Sequence, residues 1–168
     1  NAYGLTEALI TSLSADEPAP PGSSGKCAPE FEVRIFDDNG IEVPTGQSGE
    51  VVCRPLMPDI MFKGYWKRPA ETMEVMRDLW FHTGDIGEFD ADGYLYIRDR
   101  KKEMAKVSGF NVFPREIEEV LFMHPGVQEA AVVAAPDDYR GEVVKAFVVA
   151  RGGGETSAEQ LMAHCQAN

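Results

Sequence analysis

The stretch Trp80-Phe-His-Thr-Gly-Asp85, then Asp90-Ala-Asp-Gly93, then Tyr94-Leu-Tyr-Ile-Arg-Asp-Arg100 reads as strand, turn and strand. It sets one carboxylate, Asp85, directly after a glycine, with a basic cluster just beyond the next strand. A carboxylate held this way can accept two hydrogen bonds from a vicinal diol, while the nearby cations face phosphate or carboxylate groups. Thr-Gly-Asp alone is only a triplet, and an Asp beside a glycine also serves as a turn cap. The long ordered run carries the weight.

Working outward from this hairpin, short strands separated by turns recur. Phe31-Glu-Val-Arg-Ile-Phe36 alternates apolar and charged residues as a half-buried strand does. Asp37-Asp-Asn-Gly40 is a hairpin turn, and Ile41-Glu-Val43 is expected to begin its return strand. Glu50-Val-Val-Cys-Arg54 follows a turn bracketed by Gly46 and Gly49. Residues 8 to 30, with Pro18, Pro20, Pro21, Gly22 and Gly25, read as a loop. Pro69 suits the first position of a helix running to about Arg77.

After Arg100 the pattern changes. A strand pair around Gly109 leads to Pro114, which opens a helix with Ile117, Val120 and Leu121 at helical spacing. Val127 to Ala135 and Glu142 to Ala150 are apolar strands, and Gly152-Gly-Gly154 is a flexible link. Ser157-Ala-Glu-Gln160 is a capping box for a last helix, with Leu161, Met162 and Cys165 expected on one side. The fold class expected is therefore α+β: a β-rich, barrel-like part over about 28–99, within a first domain of 1–99, and a small mixed α+β part over 100–168.

The 168 residues carry a net charge of -12, which repels nucleic acid and anionic membrane surfaces. Any site for an anionic ligand must then be locally basic. Arg98, Arg100, Lys101, Lys102 and Lys106 supply such a patch, although without the flanking motifs a solvated surface is the better explanation of such a charge run. Three widely spaced cysteines without a C-x-x-C pair argue for reduced thiols and against zinc or a disulfide framework. No apolar run approaches the ~20 residues of a membrane span. The chain opens without Met or leader and ends inside an apparent helix, so it reads as an excised piece of a cytoplasmic protein.

Upstream, Tyr3-Gly-Leu-Thr-Glu7 combines a flat ring, a flexible glycine, a hydroxyl and a carboxylate, the groups a Mg²⁺-nucleotide site needs. Downstream stands Lys106-Val-Ser-Gly-Phe-Asn-Val-Phe-Pro114. In this order, over roughly residues 1 to 150, the motifs resemble the adenylate-forming acyl-CoA synthetases, the superfamily that also holds luciferases and peptide-synthetase adenylation domains.

The resemblance implies roles residue by residue. Tyr3 and Gly4 belong to the adenine side, with Tyr3 packing on the base; Thr6 contacts the α-phosphate and Glu7 holds Mg²⁺. Asp85 takes the ribose, Arg100 reaches the ribose or phosphates, and Ile97 lines the ribose or adenine wall, although a strand-core role satisfies Ile97 equally. Thr6, Glu7 and Lys106 are the catalytic candidates. Lys102 is the hinge between a large and a small lobe, and Lys106, Ser108, Gly109 and Phe110 line the pantetheine tunnel for CoA. The superfamily's phosphate loop and near-C-terminal catalytic lysine lie outside the 168 residues, so the piece alone is expected to be inactive.

The implied parent enzyme is an AMP-forming acid–thiol ligase that uses ATP, Mg²⁺ and CoA. The text around Asp99 to Pro114 looks more like fatty- or aryl-acid CoA ligases than peptide-synthetase domains, with a fatty acid as first choice. An adenylation domain loading a carrier protein, an aryl-acid CoA ligase and a non-catalytic interaction module remain alternatives. Implied partners are small molecules only, with no nucleic acid or integral membrane segment; homo-oligomerisation stays open.

Overall fold

The computed structural model describes residues 2–12, 19–153 and 156–168. It divides into two compact units, one ending at Lys101 and the other beginning at Lys102. Both are mixtures of antiparallel sheet and helix, so the α+β expectation holds. No helix among the described residues is long and apolar enough to cross a membrane.

In the first unit, β1 (Thr11–Ser12) and β2 (Lys26–Cys27) form a two-stranded ribbon. This ribbon lies inside the stretch read as loop, of which residues 13–18 fall outside the described residues. The main sheet holds β3 (Phe31–Phe36), β4 (Gly49–Pro55), β5 (Met76–Arg77), β6 (Trp80–Phe89) and β7 (Leu95–Arg100), with helix α1 (Pro69–Val75) between β4 and β5. Strand β6 is the spine: β4 pairs along one edge, and β5 and β7 share the other.

Two local elements stop short. Ile41–Val43 begins the return strand but stops after a single bridge, Phe36 with Glu42, and two backbone bonds, from Asp37 N–H to Ile41 O and from Val43 N–H to Ile35 O. Pro44 has no N–H to continue the ladder. Helix α1 stops at Val75 because the chain must turn at Asp78 and Leu79, whose φ angles are 50° and 68°. Two positive φ values suit a tight hairpin, here joining β5 to β6 without the Asn or Gly that would have announced it.

Phe31 and Ile35 of β3 are buried on one face, whereas β4, paired on both edges, buries Glu50, Val51, Val52 and Cys53 in succession. Phe81, Ile10, Ala8 and Ala28 complete one cluster with Phe31 and Cys53, while Leu95 joins Ile35 and Val51 in a second. Tyr3 packs against both. Ile97 packs on the second cluster.

The pairing of β4 with β6 is interrupted. Val52 faces His82, yet Glu50 already faces Ile86, so three residues of β6, Thr83 to Asp85, oppose Val51 alone. The extra length is absorbed as a bulge with Gly84 at φ 73°. Thr83 Oγ1 donates to Val51 O at 2.7 Å and accepts from the Asp85 N–H at 3.1 Å, pinning the bulge.

The second unit contains β8 (Ala105–Val107), β9 (Phe110–Val112), α2 (Pro114–Met123), β10 (Val127–Asp137), β11 (Gly141–Ala150) and α3 (Ala158–Ala167). The strand order is β10-β11-β8-β9. Ser108 and Gly109, at φ 51° and 87°, make the two-residue turn between β8 and β9. Helix α2 packs on β10, with Glu118 Oε1 accepting the Val132 N–H at 2.8 Å. Ser157 and Gln160 cap α3 reciprocally, as the sequence indicates. Leu161 and Cys165 are half-buried, but Met162 is exposed. Residues 151–153 form a short 3-10 turn, and Gly154 of the glycine run lies outside the described residues.

Gly84→Ala is expected to destabilise the first unit by about 1–2 kcal/mol. The added Cβ meets open space, so the cost is that of the left-handed backbone alone. Denaturant unfolding of the variant beside the parent measures it.

Candidate functional site

The bulge aims Asp85 at the segment Tyr3–Glu7, and the two enclose an open cleft. Its volume is about 410 Å³, and its walls are Tyr3, Gly4, Leu5, Thr6, Glu7, Asp85 and Arg100. Four of the residues singled out from the upstream motif, together with Asp85 and Arg100, therefore meet in one place. Ile97 is not among the walls; it belongs to the core beneath.

Asp85 is buried, and each of its oxygens is engaged. Oδ2 accepts the Tyr3 hydroxyl at 2.5 Å, and Oδ1 lies 3.0 Å from Arg100 Nε. The Arg100 pair follows from register, because Asp85 and Arg100 are direct cross-strand neighbours of β6 and β7. A carboxylate presents about four lone-pair positions, so two remain for a ligand's hydroxyls. The Tyr3 backbone N–H donates to Thr11 Oγ1 at 2.7 Å, and burial, then the bond to Asp85, push its phenol well above the ordinary range. Tyr3 thus serves as a neutral donor.

Glu7 stands at the other end of the cleft. Its Oε1 accepts the Tyr65 hydroxyl at 2.7 Å, and its backbone O accepts the Phe62 N–H at 2.9 Å. Among the described residues no group of three or more ligating side chains could hold a metal by itself. One free carboxylate oxygen suits Mg²⁺, which keeps waters and substrate phosphates as its other ligands. Thr6 is exposed at the lip of the cleft.

Behind the bulge lies a second carboxylate that sequence reading missed. Glu50 is buried with His82 Nδ1 at 3.1 Å, Lys101 Nζ at 3.0 Å and Arg77 Nη2 at 3.9 Å, and its Oε1 accepts the Gly84 N–H at 3.3 Å. Burial alone would raise the Glu50 carboxyl, but the bonds from His82 and Lys101 outweigh it and hold it below the ordinary range. Lys101 also reaches Asp38 at 3.3 Å, and its backbone N–H donates to Gly84 O at 2.8 Å. Its ammonium would lose affinity for its proton on burial, but Glu50 overcomes this and raises it. The one hint in the sequence is a charge at the head of the apolar run Val51-Val52-Cys53.

In the second unit the expected tunnel residues sit together on one hairpin. Lys106, Ser108, Gly109 and Phe110 are all exposed, Phe110 at 75%. The hairpin is tied to its own sheet: the Lys106 N–H donates to Glu142 Oε2 at 2.5 Å, and the Ser108 N–H to Arg140 O at 2.9 Å. Lys102 is exposed at the start of this unit.

Residues 1–66 match the AMP-binding enzyme family, and residues 116–168 match the AMP-binding enzyme C-terminal domain. With this cleft and this fold, the chain belongs to the adenylate-forming AMP-binding enzymes. Within the class it is similar to a long-chain-fatty-acid–CoA ligase of Yersinia pestis, 46% identical over 166 residues, covering 98% of this chain and 29% of that protein. A feruloyl-CoA synthase of an Amycolatopsis species is 42% identical, covering 96% and 33%. The crystal structure of ATP-bound MatB from Rhodopseudomonas palustris superposes with a TM-score of 0.88 at 36% identity, covering 98% and 33%. The chain thus spans about a third or less of the length of these relatives.

The lowered carboxyl of Glu50 has a pH consequence. The folded value lies below the ordinary 4.5, so its contribution to stability is complete above that pH. It is lost as pH falls through the folded value. Glu50→Gln is expected to make unfolding of the first unit less steeply dependent on pH below about 4.5, measured by unfolding curves across the acid range.

Proposed function

We propose that this chain is part of an AMP-forming acyl-CoA synthetase. The observation that carries the reading is the cleft, where Tyr3, Glu7, Asp85 and Arg100 converge from segments some eighty residues apart. In the first half-reaction a carboxylate oxygen attacks the α-phosphorus of ATP, and pyrophosphate leaves. In the second, the CoA thiol attacks the carbonyl carbon of the acyl-adenylate, AMP leaves, and the thiol proton passes to solvent.

Asp85 accepts the two ribose hydroxyls on the lone pairs that Tyr3 and Arg100 leave open. Arg100, half exposed, turns its remaining N–H groups toward the ribose or phosphates. Tyr3 and Gly4 form the adenine side, Thr6 donates to the α-phosphate, and Glu7 holds Mg²⁺, whose charge offsets the phosphates'. Catalysis here is mostly positioning and electrostatic stabilisation. Ile97 supports the wall from the core. Lys102 is the hinge, and the exposed hairpin of Lys106, Ser108, Gly109 and Phe110 receives the pantetheine arm of CoA, with Lys106 assisting.

A long-chain fatty acid is the substrate we favour, given the ligase relatives. The feruloyl-CoA synthase relative supports an aryl acid as a second reading. ATP and CoA are both available in the cytoplasm, where we assign the enzyme.

The reading predicts a split between half-reactions in a synthetase of the relatives' full length carrying this chain. Asp85→Ala is expected to raise the KM for ATP and slow adenylation, losing about 1.5–3 kcal/mol per charged hydrogen bond at most. Phe110→Ala is expected to leave adenylation near normal and slow thioester formation. Phe110 is the better probe than Gly109, whose positive φ strains any side chain. Single-turnover kinetics with labelled ATP separates the steps. Equal loss of both steps in the Phe110 variant contradicts the assignment of the hairpin.

A further inference from the structure

We propose that Tyr65 is a positioning residue for Glu7, fixing the carboxylate that binds the divalent cation; this rests on the ATP-site reading above. Tyr65 does not line the cleft and touches no reacting atom in that reading. Its hydroxyl nevertheless donates to Glu7 Oε1 at 2.7 Å from 58 residues away.

Glu7 needs such help. It sits on a short loop closed by reciprocal backbone bonds between Leu5 and Ala8, at 2.8 and 3.3 Å. Its side chain has three rotatable bonds, and fixing a glutamate costs up to about 2 kcal/mol of rotamer freedom. A cation that keeps most of its waters gains little from one mobile carboxylate. If the rotamer is set beforehand, that cost is met in folding rather than on binding.

Tyr65 is itself held by its backbone and by its ring. Its backbone N–H donates to Thr72 Oγ1 at 2.9 Å, and that hydroxyl donates to Arg68 O at 2.8 Å, anchoring Tyr65 to the start of α1. Its ring lies 5.1 Å from Phe62, which stacks edgewise on buried Phe81 at 5.3 Å. The Phe62 N–H holds the Glu7 backbone O. One segment, 62–65, therefore fixes Glu7 by main chain and side chain together. Oε2 carries no hydrogen bond among the described residues and is left for the cation.

Tyr65→Phe removes the hydroxyl and keeps the ring against Phe62. In the full-length synthetase, the free Mg²⁺ concentration giving half-maximal pyrophosphate release is expected to rise about tenfold, the lower end for partners that orient a metal ligand. Thermal stability and thioester formation from preformed acyl-adenylate are expected to stay unchanged. Glu7→Gln is the reference: it should shift the Mg²⁺ dependence at least as far, and the double variant no further. A shift with Glu7→Gln and none with Tyr65→Phe overturns the role of Tyr65 alone. No shift with Glu7→Gln overturns the ATP-site reading itself. A lower melting temperature with equal loss of both half-reactions in Tyr65→Phe makes the residue structural and also overturns the proposal.

Discussion

The carboxylate of Asp85 is the point on which the first unit turns. It is buried, it takes the Tyr3 hydroxyl on one oxygen and Arg100 on the other, and it sits on a bulge pinned by Thr83. A buried carboxylate is tolerated only when paired and hydrogen-bonded, and removing one partner leaves an uncompensated charge. The three elements that supply these bonds are thereby held to one geometry. The Tyr3 segment comes from the beginning of the chain, Arg100 from its middle, and the bulge supplies the angle at which they meet. A regular ladder between β4 and β6 would have turned Asp85 elsewhere.

Two acidic side chains flank the same glycine with different outcomes. Glu50 is surrounded by three cationic or imidazole groups and the Gly84 N–H, so it acts as a structural counter-charge beneath the bulge. Asp85 faces the cleft with fewer partners and keeps capacity for a ligand. Lys101 joins the two, because its ammonium serves Glu50 while its N–H caps Gly84 O. It is the last residue of the first unit, fixed by side chain and main chain, and exposed Lys102 follows it. The hinge proposed at Lys102 falls just past the end of β7, and element-terminal positions are where hinges are commonly found.

Much of this was legible in the sequence because it is local. The alternation of Phe31–Phe36, the proline-led helices at 69 and 114, the Asp90–Gly93 turn and the Ser157 capping box each depend on residues within a few positions. The cleft residues were legible only through the order of motifs, and the bulge that unites them left no mark beyond Gly84. The return strand begun at Ile41–Val43 is cut short because Pro44 supplies no N–H. The turn at Asp78–Leu79 was invisible because Leu rarely adopts a positive φ. The Glu50 carboxylate and the Tyr65 hydroxyl escaped notice because the groups they bind lie 27 or more residues away, a distance at which side-chain pairing has no local signature.

The central claim is that Asp85 reads a ribose diol. The most direct test is equilibrium binding of AMP and of its 2′,3′-dideoxy counterpart to the full-length synthetase, with and without Asp85→Ala. The account predicts that the parent binds AMP tighter by about tenfold or more, equivalent to roughly 1.4 kcal/mol, and that the preference vanishes in the variant. An equal preference in both proteins would contradict it.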